Sequence, residues 1–188
     1  FPGQGSQNVG MAKEFYENFS YVKKYFSYAD EILNKKLSKI ILDGSKEELD
    51  KTENTQPAIF LTSYSIFKVI ENETEFNLKN AKFYAGHSLG EYSALCCSDA
   101  ITFEETIKLL NFRGKAMQNA VPNNEGGMIA VLGKEIIEIE KIIKENYNDF
   151  ICYVANDNSN GQLVISGKIS SLNLFTEELK KRNIKFVK

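Results

Sequence analysis

One five-residue segment, Gly86-His87-Ser88-Leu89-Gly90, constrains the fold more than any other part of the sequence. It matches the pattern G-x-S-x-G, which places an exposed serine on a sharp turn between a strand and a helix. The serine backbone on such a turn is strained, so the residues two positions away must lack side chains. Residues 82–85 are short and aromatic and predict a buried strand, while residues 89–97 predict a helix. Strand, turn and helix together form the repeating unit of an α/β sheet.

The rest of the sequence divides into two blocks, 1–124 and 125–188, at a turn-rich stretch. In the first block helical and strand-like stretches alternate. A helix is expected over 55–71, with Thr55 as a candidate cap and Pro57 near its first turn. A capping-box spacing opens a second helix, which runs to residue 120. The second block has the β-α-β-β-α-β order of a ferredoxin-like subdomain, incomplete at its last strand. Its strands are predicted at 128–132, 150–155, 163–166 and 184–187, and its helices at 135–146 and 170–182.

The composition excludes several classes of function. Hydrophobic residues make up 43% of the chain, enough for a substantial core, and a formal net charge of −2 gives no electrostatic footprint for nucleic acid. No apolar run approaches the roughly 20 residues that a membrane-spanning helix needs. The three Cys lack metal-ligand spacing, so we expect buried or half-buried reduced thiols and no metal. Two lysine-rich clusters, 35–36 and 180–182, are expected to be solvated helix faces.

Ser88 is the predicted catalytic nucleophile. The helix after it directs free N–H groups and a partial positive charge toward an acyl oxyanion, and the N–H of Leu89 is the first donor expected there. A serine hydroxyl needs a base, usually a His. His87 is the one His of the chain, but neighbouring side chains on a tight turn diverge, so it is assigned a structural or pocket-lining position. Two alternatives remain: a pseudoenzyme, or a base beyond residue 188, which the unfinished strand at the end of the sequence favours.

Arg113, one of two Arg in the chain, lies on an apolar face of its predicted helix, three or four residues from Leu109, Leu110 and Met117. A guanidinium there needs a partner, because an unpaired buried charge costs several kcal/mol. Arg rather than Lys suits a carboxylate held by two hydrogen bonds. Two partners remain open. One is an internal Asp or Glu, and the other is a substrate carboxylate, such as that of a malonyl group, presented beside Ser88.

Five segments in register give the sequence a family resemblance. They are residues 1–7 (FPGQGSQ), 86–92 (GHSLGEY), 113–118 (RGKAMQ), 127–133 (GMIAVLG) and 158–167 (NSNGQLVISG). With these segments, which span essentially the whole chain, the sequence closely resembles malonyl-CoA:acyl-carrier-protein transacylases. The resemblance extends to the acyltransferase domains of polyketide and multifunctional fatty-acid synthases. It implies a fragment lacking both ends and inactive as given, with a strand before residue 1 and the general-base His after residue 188 absent.

The resemblance implies an α/β fold, with an α/β-hydrolase-like large subdomain at 1–124 and an inserted ferredoxin-like small subdomain at 125–188. The implied reaction moves a malonyl group from malonyl-CoA to Ser88 and then to the phosphopantetheine thiol of acyl carrier protein, for fatty acid synthesis. No bound cofactor, metal, nucleic acid or membrane is implied, and the protein is expected to be a monomer. The Lys-, Asn-, Ile- and Tyr-rich composition suggests an AT-rich genome and favours a eukaryotic organelle, plastid-type or mitochondrial, over a bacterial cytoplasm.

The resemblance also implies roles for individual residues. Ser88 carries the acyl group, and Arg113 pairs with the malonyl carboxylate. The backbone N–H groups of Gln4 and Leu89 form the oxyanion hole. A serine hydrolase and a non-catalytic carrier-protein-binding module are the remaining alternatives. The residues expected to border the cleft between the subdomains are Asn156, Asn158 and His87.

Overall fold

The computed structural model describes residues 1–121 and 125–187, apart from the side chain of Lys79. The chain divides into two compact units, Phe1–Ala120 and Val121–Lys188, each with an apolar core of its own. The sequence pattern placed this border at 124/125. The turn-rich stretch behind that placement falls partly on residues 122–124, outside the described residues.

The first unit is helical. Its α-helices are α1 Lys13–Asn18, α2 Ser20–Leu33, α3 Leu37–Asp43, α4 Lys46–Leu49, α5 Thr52–Glu73, α6 Gly90–Cys97 and α7 Phe103–Asn119, with a short 3-10 turn at Leu78–Asn80. No strand is present in residues 1–121, so the predicted alternation of helices and strands is wrong for this unit.

The helix α5 is central to this unit and begins earlier than predicted. The pattern placed its cap at Thr55, but the helix begins at Thr52, so Pro57 lies in the second turn. The N–H of Thr52 donates to the side-chain oxygen of Gln118 on α7, at 3.2 Å. This is a tertiary partner for a helix terminus, and no local pattern shows it. The helices approach closely because Gly114 of α7 has no side chain: a Cβ there would lie 2.7 Å from the α5 backbone.

The helices α6 and α7 lie close to where the sequence predicts them. The helix predicted at 89–97 is α6, which begins at Gly90. The capping box predicted for α7 is confirmed, because Glu105 N–H donates to Thr102 Oγ1 at 3.2 Å and Thr102 N–H donates to Glu105 Oε2 at 2.9 Å. These caps fix where α7 begins, and therefore which of its residues face α5.

The buried strand predicted at 82–85 is wrong: these residues form no strand, and Phe83 is 89% exposed. The backbone beside them does pair with the first residue. The amino group of Phe1 donates to Ala85 O at 2.7 Å, and the N–H of His87 donates to Phe1 O at 3.0 Å. This is one step of a parallel ladder. A strand needs such bonds over several residues, and within residues 1–121 the ladder stops after this step.

The second unit has the predicted element order, β-α-β-β-α-β. Its four strands form one antiparallel sheet in the order β2-β3-β1-β4. Buried and more exposed residues alternate along β1 and β3, and the two helices pack their apolar sides against the sheet core. The elements are β1 Gly126–Leu132, α8 Ile136–Glu145, β2 Cys152–Ser159, β3 Gln162–Lys168, α9 Ile169–Lys181 and β4 Lys185–Val187.

The predictions for the thiols and for one lysine-rich cluster are confirmed. Cys96, Cys97 and Cys152 are free and buried. Cluster 180–182 lies at the end of α9 and pairs with neighbouring glutamates at the surface. Cluster 35–36 is not a helix face, because it lies in the connection between α2 and α3. None of the helices in the described residues has the length and apolar character needed to cross a membrane.

Candidate active site

Ser88 stands on a strained turn at the start of α6. Its φ is +54°, in the left-handed region that non-glycine residues rarely adopt. The flanking glycines allow this conformation. A Cβ on Gly86 would lie 1.9 Å from the carbonyl carbon of Gly90, and a Cβ on Gly90 would lie 2.4 Å from the carbonyl oxygen of Phe1. The turn therefore tolerates no side chain at either position, as the sequence pattern predicts.

Gly86→Ala tests this geometry. The clash is with backbone atoms, which cannot move aside, so we expect a loss of about 3 kcal/mol or more in the free energy of unfolding. Gly10→Ala is the control, because Gly10 has open space around its Cβ position; its own positive φ, +84°, adds a backbone strain that Gly86 does not have. Its cost should be only about 1–2 kcal/mol. Urea denaturation of the full-length protein measures both values, and equal losses would contradict the close-packing explanation.

Two backbone N–H groups of this unit that are expected to form the oxyanion hole have no partner among its described residues. Behind the turn, Gly90 N–H donates to His87 O at 2.9 Å. By contrast, the N–H groups of Leu89 and Gln4 donate to no acceptor within the described chain. That of Leu89 immediately precedes α6, where the helix dipole adds partial positive charge. Both groups therefore remain available to an acyl oxygen, as their assignment to an oxyanion hole requires.

Arg113 reaches the hydroxyl of Ser88. Its Nη2 lies 3.1 Å from Ser88 Oγ, its Nη1 donates to Gln56 Oε1 at 2.7 Å, and its guanidinium lies over the ring of Tyr92 at 5.8 Å. No carboxylate pairs with Arg113 in the described part of the chain. Within the described residues, an internal Asp or Glu is therefore excluded as the partner of Arg113. A half-buried guanidinium beside the serine has only neutral partners and retains N–H donors for an anion.

Gln56 is the site residue that sequence reasoning missed. It lies on α5 and is 0% exposed. Besides accepting from Arg113, it donates from Nε2 to the Sδ of Met117 at 3.2 Å. One signal was available, because Asn54, Thr55 and Gln56 form a polar run directly before a long apolar stretch. Near a helix start such a run predicts exposed capping residues, whereas here all three are buried.

Of the three residues expected to border a cleft, His87 lies in the first unit, and Asn156 and Asn158 lie in the second. The His87 imidazole lies against the backbone of Gly3, since a Cβ there would be 2.4 Å from Nδ1. Ser88 Oγ contacts Arg113 instead. Asn156 and Asn158 are exposed residues of β2 in the second unit, and their role at a cleft stays a prediction. The described residues contain no group of three or more potential metal ligands.

The thiols near the turn are poor competitors for the role of nucleophile. Cys96 and Cys97 end α6, and both are buried. Burial raises the pKa of the Cys97 thiol to about 12, and it also raises the pKa of Cys96. A thiol must be ionised to attack, so neither is reactive near neutral pH. Ser88 is exposed and strained, and it stands beside a cation.

Comparisons with known proteins show the family of the chain. A family model described as acyl transferase domain matches residues 1–188. The chain is 41% identical over 186 residues to a malonyl CoA-acyl carrier protein transacylase of Bacillus subtilis (strain 168), covering 98% of this chain and 57% of that protein. It is 41% identical over 167 residues to the transacylase of the same name from Salmonella typhimurium, covering 89% of this chain and 53% of that protein.

Solved structures that superpose on the chain are also malonyl transferases. An acyl-carrier-protein-S-malonyltransferase from Bartonella henselae superposes with a TM-score of 0.91 at 40% identity, over 98% of this chain and 59% of that one. A malonyl-transacylase in complex with its type II polyketide synthase acyl-carrier protein superposes with a TM-score of 0.88 at 37% identity, over 98% and 59% of the two chains. The chain thus spans little more than half the length of these relatives. Like the structures it superposes on, it has an α/β fold. Because the family model matches its whole length, the chain belongs to the acyl transferase domain family.

Proposed function

We propose that this chain carries the nucleophile and the carboxylate-binding residue of a malonyl-CoA:acyl-carrier-protein transacylase of fatty acid synthesis. The observation that carries the proposal is the position of Arg113, 3.1 Å from Ser88 Oγ, without a carboxylate partner in the described residues. In a site for uncharged acyl groups, a guanidinium beside the serine would lose hydration without gaining a counter-charge, which is costly. The names of the relatives, which are malonyl transferases, support the same substrate.

In the proposed reaction, Ser88 Oγ attacks the thioester carbonyl of malonyl-CoA. The serine proton passes to a general base, the carbonyl oxygen becomes an oxyanion held by the N–H groups of Gln4 and Leu89, and the C–S bond breaks. CoA leaves as its thiol after taking up the proton. The phosphopantetheine thiol of acyl carrier protein then attacks the malonyl-Ser88 ester in the same way and regenerates the hydroxyl. The proposal assigns the base to a His other than His87, because the His87 imidazole lies against the backbone of Gly3.

Arg113 acts as the acyl-selecting residue in this scheme. When a malonyl group is present, the guanidinium turns one edge from Ser88 Oγ to the malonyl carboxylate, while Gln56 Oε1 keeps hold of Nη1. A bidentate pair of this kind fixes both the position and the direction of the acyl group. Acetyl lacks the carboxylate and leaves the guanidinium unpaired, which is the arrangement that discriminates most strongly between two substrates.

The finer description of the fold belongs to the same proposal. The first unit corresponds to part of an α/β-hydrolase-like subdomain, and the single ladder step at Phe1 supports a place for it in a larger parallel sheet. The strand order β2-β3-β1-β4 supports a ferredoxin-like second subdomain. In this scheme Asn156, Asn158 and His87 border the cleft between the two.

The partners and setting follow from the reaction class. The acyl carrier protein is the proposed acceptor, supported by the complex that one structural relative forms with its carrier protein. That carrier protein belongs to a type II polyketide synthase, which keeps polyketide synthesis as a second candidate pathway. No bound cofactor is proposed, and a monomer remains the expectation. The named relatives are bacterial, which favours a bacterial cytoplasm over the eukaryotic organelle suggested by composition.

Labelling tests the proposal directly. The full-length protein is incubated with radiolabelled malonyl-CoA or acetyl-CoA without acceptor, then digested and mapped. We expect malonyl label on the peptide that contains Ser88 and much less acetyl label, and addition of holo acyl carrier protein should discharge it to the carrier. Discharge to water at the same rate without the carrier indicates a serine hydrolase, and no label at all indicates a binding module. Either result contradicts the proposal.

A further inference from the structure

A methionine on α7 contacts the amide that holds Arg113. Gln56 Nε2 lies 3.2 Å from Met117 Sδ, and Gln56 Oε1 lies 2.7 Å from Arg113 Nη1. We propose that Met117 is a positioning residue for malonyl recognition: its thioether accepts a hydrogen bond from Gln56 and so fixes the amide in the orientation that holds Arg113 beside Ser88. This inference rests on the function proposed above.

The donors and acceptors of the three side chains allow one orientation of the amide. A guanidinium only donates hydrogen bonds, whereas a thioether sulfur has lone pairs and only accepts them. In the observed orientation the amide oxygen of Gln56 faces Arg113 and its NH₂ group faces Met117. Rotation of the amide by half a turn would set donor against donor and acceptor against acceptor. The two neighbours therefore select the same orientation from opposite ends.

The burial of Gln56 makes this selection matter. Its side chain is 0% exposed, so an NH₂ group that lost its sulfur partner would be left without a hydrogen bond in the interior. We expect the amide of Gln56 to rotate or shift so that its NH₂ group reaches another acceptor, and its oxygen then loses the hydrogen bond from Arg113. Met117 itself is 45% exposed, so its contribution to the core is small. The sulfur contact is the main thing that a substitution removes.

The position of Met117 on the helix suits this role. It follows Arg113 by four residues, so the two side chains lie on one face of α7, one turn apart, and both reach the same residue of α5. Close packing of the helices at Gly114 fixes the spacing between that face and Gln56. Unlike Arg113, Met117 makes no described contact with Ser88. Its influence on the acyl group therefore passes through Gln56.

The test is a double-mutant cycle in the full-length protein with four forms: wild type, Met117→Leu, Gln56→Ala and the double variant. Leu keeps the volume of Met but has no acceptor atom. We expect Met117→Leu to raise KM for malonyl-CoA roughly fivefold, the factor that one ordinary hydrogen bond corresponds to, with kcat within about twofold of wild type. In the Gln56→Ala background the same substitution should change KM no further.

Met11→Leu is the matched control, because Met11 packs against the core of the same unit without a described side-chain hydrogen bond, and its KM should equal that of wild type. An unchanged KM in Met117→Leu, or a rise that persists in the Gln56→Ala background, overturns the inference. So does a fall in kcat and in the thermal midpoint with no change in KM, because that pattern indicates a purely structural residue. Failure of the proposed function is distinguishable, since wild type would then transfer no malonyl group.

Discussion

Replacing Ser88 with Ala is expected to abolish malonyl transfer by the full-length protein, with a loss of at least about 10⁴-fold in kcat. The Ser88 hydroxyl is the proposed point of acyl attachment. The nearby thiols cannot substitute for it, because burial keeps them protonated. Binding of malonyl-CoA should change far less, since Arg113 and Gln56 remain in place. Steady-state transfer to holo acyl carrier protein measures the first effect, and calorimetric titration with malonyl-CoA measures the second.

Ser93→Ala is the control for this substitution. Ser93 lies on α6, the helix that begins two residues after Ser88, and its hydroxyl is buried with no hydrogen-bond partner among the described residues. Removing an unsatisfied buried hydroxyl should leave transfer unchanged and the stability equal or slightly higher. Substantial transfer by Ser88→Ala, or a malonyl label that moves to a residue of α6, contradicts the assignment of the nucleophile.

The turn at Ser88 could be predicted because its cause is local. The positive φ at the serine and the lack of room for a side chain at Gly86 follow from backbone geometry within a few residues, whereas the room at Gly90 is limited by the distant backbone of Phe1. The capping box of α7 is local in the same sense. Both features therefore appear in the structure where the sequence placed them, and they fix the positions of the serine and the helix that carries Arg113.

The parts of the first unit that were predicted wrongly depend on distant partners. Residues 82–85 have strand-like composition, but a strand exists only where another strand pairs with it, and in the described residues Phe1 provides one step. The start of α5 likewise depends on Gln118, which lies on another helix. In the second unit the sheet is built from strands close in sequence, and there the predicted order of elements is confirmed.

The partner of Arg113 could not be predicted either, because it lies on another helix. From spacing alone, an internal carboxylate and a substrate carboxylate are equally compatible with an Arg on an apolar face. The structure excludes the first within the described residues and supplies Gln56 as a neutral partner that the sequence did not suggest. A fully buried Gln leaves no periodic signal that distinguishes it from a helix cap. Its role can be found only once α5 and α7 are packed together.

Arg113→Ala is expected to lower kcat/KM for malonyl-CoA by about 10³-fold, while acetyl transfer falls far less or rises. The loss reflects the malonyl carboxylate, which would enter the site without its counter-charge. Arg113→Lys should give an intermediate loss of about 10- to 100-fold. Lys keeps the charge, but one ammonium group cannot hold Gln56 and both oxygens of a carboxylate together. The ratio of kcat/KM for malonyl-CoA to that for acetyl-CoA is the decisive measurement.

Lys115→Ala separates this effect from a general loss of positive charge. Lys115 is an exposed cation on α7 two residues after Arg113, so its removal changes the net charge equally but leaves the site intact. Its malonyl-to-acetyl ratio should match that of wild type. A ratio that also stays at the wild-type value in Arg113→Ala, with both transfers reduced equally, means that Arg113 serves Ser88 alone. In that case the guanidinium donates to Oγ during the reaction, and acyl selection must come from residues outside this cluster.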